Sequence, residues 1–289
     1  MRPPRAVYRK YQKCRESGPG IRMACALIVV CVFSTAGCNG VQMGTHSAAN
    51  PNVGANHTSA GGPGPAPRQG FVSIDFDDGY ESAYLNGMPI LDKAGIKTTQ
   101  FIITQLIGHP LFLTQDQILT LQAEGHEIGA HTRTHPHLST LTDDQQKNEI
   151  LGSYDDLVAM GIRPNWFAYP YGDYNSISVT DARSTFEGAR TVNGAANDKS
   201  TEPFLLNCYS IHPGAPVYAI GDITKLIDSA QTNGTWLILL FHKVDEDDGD
   251  SISVPHDLIQ QVTDYLLARS VKVVTMSQGW SLISGTAAP

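Results

Sequence analysis

Three short stretches of the chain carry residues able to do hydrolytic chemistry: Asp75-Phe76-Asp77-Asp78-Gly79, His131-Thr132-Arg133-Thr134-His135 and Phe241-His242. Adjacent side chains on an extended segment point to opposite sides. Asp77 and Asp78 can therefore take different tasks, one binding a metal while the other stands free as a base. An acid pair closed by glycine also suits an ordinary polar turn. His131 and His135 are four residues apart, the spacing that puts two imidazoles on one side of a helical turn. Pro136 follows them and predicts a loop or a first turn. Two His and one strand-end Asp make the ligand set of a catalytic zinc centre with open positions. His126 and His137 are spare histidines, expected in structural or exposed places. His242 ends a very apolar run, where a packed core histidine is the ordinary outcome, but a strand end groups it with the other candidates.

Elements must bring these stretches together. From Phe71 onward short apolar runs alternate with polar helical stretches. The runs predict strands at 71–76, 98–104, 126–131, 165–170, 236–241 and 271–276, with helices over 80–94, 115–124, 143–160, 217–232 and 255–270. Thr142 is a plausible N-cap, and Gly95, Gly125, Gly161 and Gly234 each follow a helix as left-handed caps do. Such alternation predicts an α/β fold, a parallel sheet or (β/α) barrel. Active sites of such folds lie at the C-terminal ends of the strands, where all three stretches fall.

The motifs resemble those of the NodB-type polysaccharide deacetylases, carbohydrate esterase family four. The resemblance implies a distorted (β/α) barrel over residues 70–285. It makes Asp77 the catalytic base and Asp78, His131 and His135 the metal ligands. Ala168-Tyr169-Pro170-Tyr171-Gly172 matches the family's third motif, implying Pro170, Tyr171 and Gly172 at the substrate groove and an oxyanion-holding amide at Tyr171. Leu240-Phe241-His242 matches the fifth, implying Leu240 as an apolar wall and His242 as the catalytic acid. The spelling of the third motif, with Tyr174-Asn175 after it, is similar to the branch acting on poly-β-1,6-N-acetylglucosamine. Two departures stand out. Ala168 occupies the place of the usual Arg, and no clear fourth motif appears, although Leu206–Ser210 lies about where it belongs. Asp77 is thus expected to lack a nearby cation.

The implied activity is metal-dependent removal of N-acetyl groups from an N-acetylglucosamine-containing polysaccharide. The metal would be zinc, with cobalt or nickel accepted by the same ligands. Removal of O-acetyl groups from xylan is the alternative within the fold, and a sugar-binding lipoprotein the alternative outside catalysis. Trp166, Trp236 and Tyr171 could stack on sugar rings, Trp236 being better suited to the core.

Composition bounds the partners. The chain has 289 residues, 20 basic and 28 acidic, with a net charge of -8. Seven of the basic residues and one acid fall before Cys38, so the body is far more acidic than the whole. An acidic body argues against nucleic acid and suits a neutral glycan. The first 38 residues read as an export signal. A basic segment ends at Arg22, and the apolar run Met23–Phe33 is shorter than the ~20 residues a membrane span needs. Ala36-Gly37-Cys38 resembles a bacterial lipobox with Thr35 in place of the favoured Leu, so a lipid anchor at Cys38 is expected, ordinary cleavage being the alternative. Residues 39–69, rich in Gly, Ala, Asn and Pro, read as a flexible tether. The expected protein is an exported, membrane-anchored monomer at the cell surface or in the periplasm. Four of the five cysteines lie in the first 38 residues, which leaves Cys208 alone in the body and no disulfide framework. Asp245–Asp250 reads as a solvated acidic loop.

Overall fold

A computed structural model describes residues 69–245 and 251–285. The signal, Cys38, nearly all of the tether and most of the acidic loop lie outside the described residues.

The fold is a distorted (β/α) barrel built on a parallel sheet. Its strands are β1 (Phe71–Phe76), β2 (Thr99–Ile102), β3 (Glu127–Ala130), β4 (Trp166–Ala168), β5 (Gly188–Arg190), β6 (Tyr209–Ser210) and β7 (Trp236–Phe241), in the order β5-β4-β3-β2-β1-β7-β6. A small ribbon pairs β8 (Lys243–Val244) with β9 (Ser253–Val254), and β10 (Lys272–Val273) joins the start of β1. β7 pairs along all of β1. The opposite edge of β1 is divided, β10 taking Phe71 and Val72 and β2 taking Asp75 and Phe76. The segment Leu206–Ile211 closes the ring. Thr191 donates its N–H to the Leu206 carbonyl on the β5 side, and Ile211 donates to Leu240 on the β7 side.

Period-two alternation sorts the side chains. Val72, Ile74 and Phe76 of β1 pack outward against the helices, with Leu237, Leu239 and Phe241 of β7 beside them. Phe71, Phe101, Trp166, Ala168, Leu206, Cys208, Trp236 and Leu240 fill the interior. The interior has room for large rings only because some strand positions carry none. A Cβ on Gly188 would stand 2.3 Å from the Trp166 ring, and one on Gly129 2.5 Å from Phe101.

Helices cover the outer face: α1 (Met88–Lys93), α2 (Gln115–Ala123), α3 (Asp143–Ala159), α4 (Ser176–Arg183), α5 (Ile220–Asn233), α6 (His256–Ala268) and α7 (Met276–Ser284). Thr142 caps α3 in a reciprocal box with Gln145. Gly161 and Gly234 take the left-handed conformation, with φ of 83° and 67°. The predicted helix over 80–94 is interrupted. A widened turn at Ala83–Gly87 precedes α1, because Pro89 has no N–H to continue an α-helical ladder. The strand predicted over 271–276 shrinks to two residues, since Thr275 and Gln278 form a capping box that starts α7. Strands β5 and β6 and helices α4 and α7 were not expected from the pattern.

Candidate active site

The turn after β1 carries the acids. Asp77 donates its N–H to the Phe241 carbonyl at 3.0 Å, extending the β1–β7 pairing by one residue. The chain then turns through Asp78 and Gly79, both left-handed, with φ of 70° and 76°. The loop after β3 carries the histidines. It is non-helical, and two side chains of α3 pin it. Glu149 accepts the N–H groups of Arg133 and Thr134 and the Thr134 hydroxyl, while Asp156 accepts both arms of Arg133. Thr132 and His135 are left-handed there, and Tyr171 is left-handed on the facing loop. Non-glycine residues in this region are strained by roughly 1–3 kcal/mol each, a strain that gathers at functional sites.

These turns bring three acceptor atoms together. Asp78 Oδ1 lies 3.4 Å from His131 Nε2 and 3.4 Å from His135 Nε2, and the two nitrogens are 3.2 Å apart. His131 Nδ1 lies 2.8 Å from the Ala168 carbonyl, so it carries the proton, and Nε2 faces the group bare. Asp78 Oδ1 is buried and accepts no hydrogen bond. Three buried lone pairs aimed at one point repel one another unless a cation or protons lie between them. Their spacing matches the roughly 3.3 Å edge of a tetrahedron with bonds of about 2.0–2.1 Å. The donor set therefore fits a divalent metal. Burial is the largest cause that pushes His135 down to about 4, keeping it in the neutral ligand form. Asp78 is held well below the usual carboxylate range by His131, His242 and His135 despite its burial.

Asp77 does not lack a cation. Arg190, fully buried at the end of β5, donates from Nη2 to Asp77 Oδ1, and its Nε stands 3.1 Å from Asp75 Oδ2. The expectation drawn from Ala168 is thus overturned. Parallel pairing sets Ala168 directly beside Arg190, so an arginine is present one strand over. Phe101 lies under the guanidinium at 4.7 Å, and Nη1 points to Cys208 Sγ at 3.4 Å. Burial opposes the Arg190 charge, but Asp77, Cys208 and Asp75 hold its pKa above the ordinary value. Burial pushes Asp75 up to about 8 against the pull of Arg190. Arg190 had no sequence signal, since a three-residue strand shows no periodicity. Asp75 had one, standing two residues before Asp77 on the same inward side.

A cavity of about 890 Å³ opens over these groups, lined by Asp77, Asp78, His131, His135, Leu240 and His242 among others. Tyr171 forms part of its wall, half-exposed and stacked on His137 at 4.0 Å. Pro170 and Gly172 are not in the wall; they shape the turn behind it, where a Cβ on Gly172 would meet Val192 at 2.5 Å. Tyr80, stacked on Phe112 at 4.9 Å, and Tyr209 are aromatic wall residues the sequence did not single out. Trp166 is not a sugar platform: like Trp236 it is wholly buried inside the barrel. His242 faces the cavity with a buried, unpartnered Nδ1, and burial lowers its pKa against the pull of Asp78 and Asp77.

A second group, Asp92, Glu124 and His126, also clusters potential ligands. His126 Nδ1 accepts the Thr98 N–H, so Nε2 carries the proton and donates to Asp92 at 3.0 Å. Lys97 holds the same Asp92 oxygen. This imidazole is structural, as expected, with no lone pair left for a metal.

The fold and the two-His, one-Asp group define a (β/α) barrel with a metal-type centre at its strand ends. Residues 64–186 match the polysaccharide deacetylase family model. The Bacillus subtilis protein YxkH, named for polysaccharide deacetylases, is 31% identical over 159 residues, 54% of this chain and 56% of the relative. A peptidoglycan-N-acetylglucosamine deacetylase of Bacillus cereus is 31% identical over 106 residues, 35% of this chain and 36% of that protein. The chain thus spans about half the length of the first of these relatives and about a third of the second. The solved T48 deacetylase superposes with a TM-score of 0.53 at 17% identity, covering 76% of this chain and 94% of that one. The Bc1960 peptidoglycan deacetylase gives 0.52 at 18%, covering 77% and 91%. Both share the fold.

Proposed function

We propose that the protein is a metal-dependent hydrolase that removes N-acetyl groups from an N-acetylglucosamine-containing polysaccharide of the cell surface. One observation carries this reading: Asp78, His131 and His135 converge on one point while Asp77, beside them, is held by Arg190 instead of joining the group. A binding module needs no such division between two adjacent acids.

Asp78, His131 and His135 would hold the metal, zinc best matching the ligand types. When bound, it supplies Lewis acidity toward an acetyl carbonyl and lowers the pKa of water. Asp77 Oδ1 is committed to Arg190, so Oδ2, 3.7 Å from His131 Nε2, is the oxygen available to take a proton from attacking water. Leu240 and Tyr171 wall the cavity against bulk water and orient the acetyl group. The Tyr171 amide is the expected donor to the oxyanion. His242 is placed to give the leaving nitrogen its proton. No Lys or Arg side chain lines the cavity among the described residues, which suits an uncharged glycan. The names of the chitin and peptidoglycan deacetylases among its relatives support a glycan of N-acetylglucosamine.

The basic start, apolar run and Ala36-Gly37-Cys38 support export and a lipid anchor, with residues 39–69 spacing the enzyme from the membrane. The deciding experiment measures acetate release by the zinc-loaded protein from β-1,4- and β-1,6-linked N-acetylglucosamine oligomers and from acetylxylan. Release from the amide polymers supports the proposal. Release from acetylxylan alone replaces it with an esterase, and no release from any of them defeats it.

A further inference from the structure

Beyond the end of β2 the cavity wall is apolar, formed by Ile103, Leu106, Tyr80 and Phe112. Tyr80 and Phe112 are half-buried, and neither belongs to the apolar clusters that fill the barrel and cover its outer face. Backbone pairing places them. Glu81 donates its N–H to the Leu111 carbonyl at 2.8 Å and Leu113 donates to Gly79 at 2.8 Å, so Tyr80 and Phe112 face each other across an antiparallel bridge. Such a pair, lying between its hydrogen bonds, draws its side chains close. The two rings stack at 4.9 Å with an interplanar angle of 25°. Leu111 takes a φ of 77° to make this turn, a conformation that a bulky residue adopts only at a cost. Lys243 Nζ stands over the Tyr80 ring at 4.6 Å. Leu113 is sunk in the core, and Thr114 starts α2 in a reciprocal box with Gln117. The turn is held at both ends, and it keeps a stiff step of two rings in the cavity wall where no core needs filling.

We propose that Phe112, backed by Tyr80, is a platform for a second sugar ring, the neighbour in the glycan of the unit that loses its acetyl group. The proposal rests on the reading of the substrate as an N-acetylglucosamine polymer. A β-linked N-acetylglucosamine ring carries its substituents around its edge, so each face offers only C–H bonds, and a flat aromatic face takes such a surface without needing a charge. The wall carries no Lys, Arg or Glu among the described residues, so an ionised substituent is not what this step selects. The acetyl group itself belongs elsewhere. It must reach the point shared by Asp78, His131 and His135, beside Leu240 from β7 and Tyr171 from the loop after β4, with Tyr171 packed on His135 at 4.5 Å. From β2 the wall instead climbs through Ile103 and Leu106 to Phe112, away from those residues. A cavity of about 890 Å³ with aromatic rings from two separate loops suits a chain that lies across it, not one unit bound alone.

The test uses the full chain loaded with zinc and N-acetylglucosamine oligomers from dimer to hexamer, in β-1,4 and β-1,6 linkage. For the wild type, kcat/KM should rise with length until the platform is filled and then level off. Phe112→Ala should flatten that rise through KM, costing on the order of tenfold on the hexamer and about twofold on the dimer, the size of one lost aromatic contact. Phe112→Leu keeps apolar bulk without a flat face and should fall with the alanine variant, whereas Phe112→Trp should keep the rise. Melting temperature and zinc content of each variant check that the fold is intact. A second readout needs no turnover. In zinc-loaded Asp77→Asn, calorimetry should give tighter binding of the hexamer than of the dimer, and adding Phe112→Ala should remove most of the difference. An equal loss at every length would put the reacting unit itself on the ring and overturn the proposal. So would a Phe112→Leu enzyme with the wild-type length profile, or a hexamer bound no more tightly than the dimer. A wild-type chain that releases no acetate but still shows hexamer binding that depends on Phe112 defeats the deacetylase reading and leaves the platform standing.

Discussion

Three aspartates within four residues take three different surroundings. Asp75 is sealed in the barrel, Asp77 sits at the cavity wall on Arg190, and Asp78 turns to the histidines. Chain geometry separates them: alternation sends 75 and 77 inward together, and the left-handed step at 78 swings its carboxylate away. The roles should part on substitution. Asp77→Asn should keep zinc and the melting temperature while turnover drops by about 10²–10⁴, the usual loss for a missing general base. Asp78→Ala should lose zinc itself, since two imidazoles alone hold it weakly; metal analysis after dialysis separates the two outcomes. An Asp77→Asn enzyme at near wild-type rate would mean that attack needs no protein base. That an acid of the β1 turn would meet His131 and His135 was legible from spacing and strand-end position; which acid it would be was implied only by the resemblance. The cation on Asp77 was not, because the sequence shows an alanine at the matching place and nothing in Gly188-Ala189-Arg190 announces a buried guanidinium.

Long strands and capped helices were legible, and short elements were not. β1 and β7 match their apolar runs residue for residue, because six residues suffice to show an uninterrupted buried run. β5 and β6 span three and two residues and draw their pairing from the ring around them. Strand packing makes its own prediction. Gly188→Ala would force a methyl into the Trp166 ring and a carbonyl at 2.6 Å, an overpacking that should lower stability by about 1–3 kcal/mol in urea unfolding, with zinc still bound. The junction of β2, β3 and α1 makes a pH prediction. Burial lowers the His126 pKa from 6.5 despite Asp92, and its Nδ1 must stay bare to accept the Thr98 N–H. The unfolded chain therefore takes up this proton first on acidification. The contribution is full above about pH 6.5 and is lost as pH falls below it toward the depressed folded value. His126→Gln should flatten the decline in urea midpoint between pH 7 and 5; an unchanged slope would place the sensitivity elsewhere.

At the scale of the whole molecule, composition divides the chain in two, since basic residues crowd before Cys38 and acids dominate after it. Cys38→Ser should move the protein from the membrane fraction to the soluble fraction or leave it unprocessed, measured by fractionation and the mass of the mature chain. Unchanged size and partition would favour ordinary signal cleavage. What composition could not reveal was how the ring closes. Alternation predicts consecutive strands side by side, as β1 to β5 are, but not that β1, the first of the described strands, pairs along its whole length with the late strand β7.

That placement has a consequence for how the protein is made. β1 emerges first from the ribosome, yet its full-length partner β7 and the short β10 come from the last fifth of the chain. Until Phe241 has been synthesised, the strand that leads into Asp77 and Asp78 has one edge without a partner, and Leu206–Ser210 has no β7 to close upon. Such distant pairing is slow to form and leaves apolar strand edges open during synthesis. Residues 64–186, the stretch that family resemblance outlines, are therefore not a unit that can fold early and wait. The domain must be completed before it is stable, and export of a still-unfolded chain is compatible with that order of events.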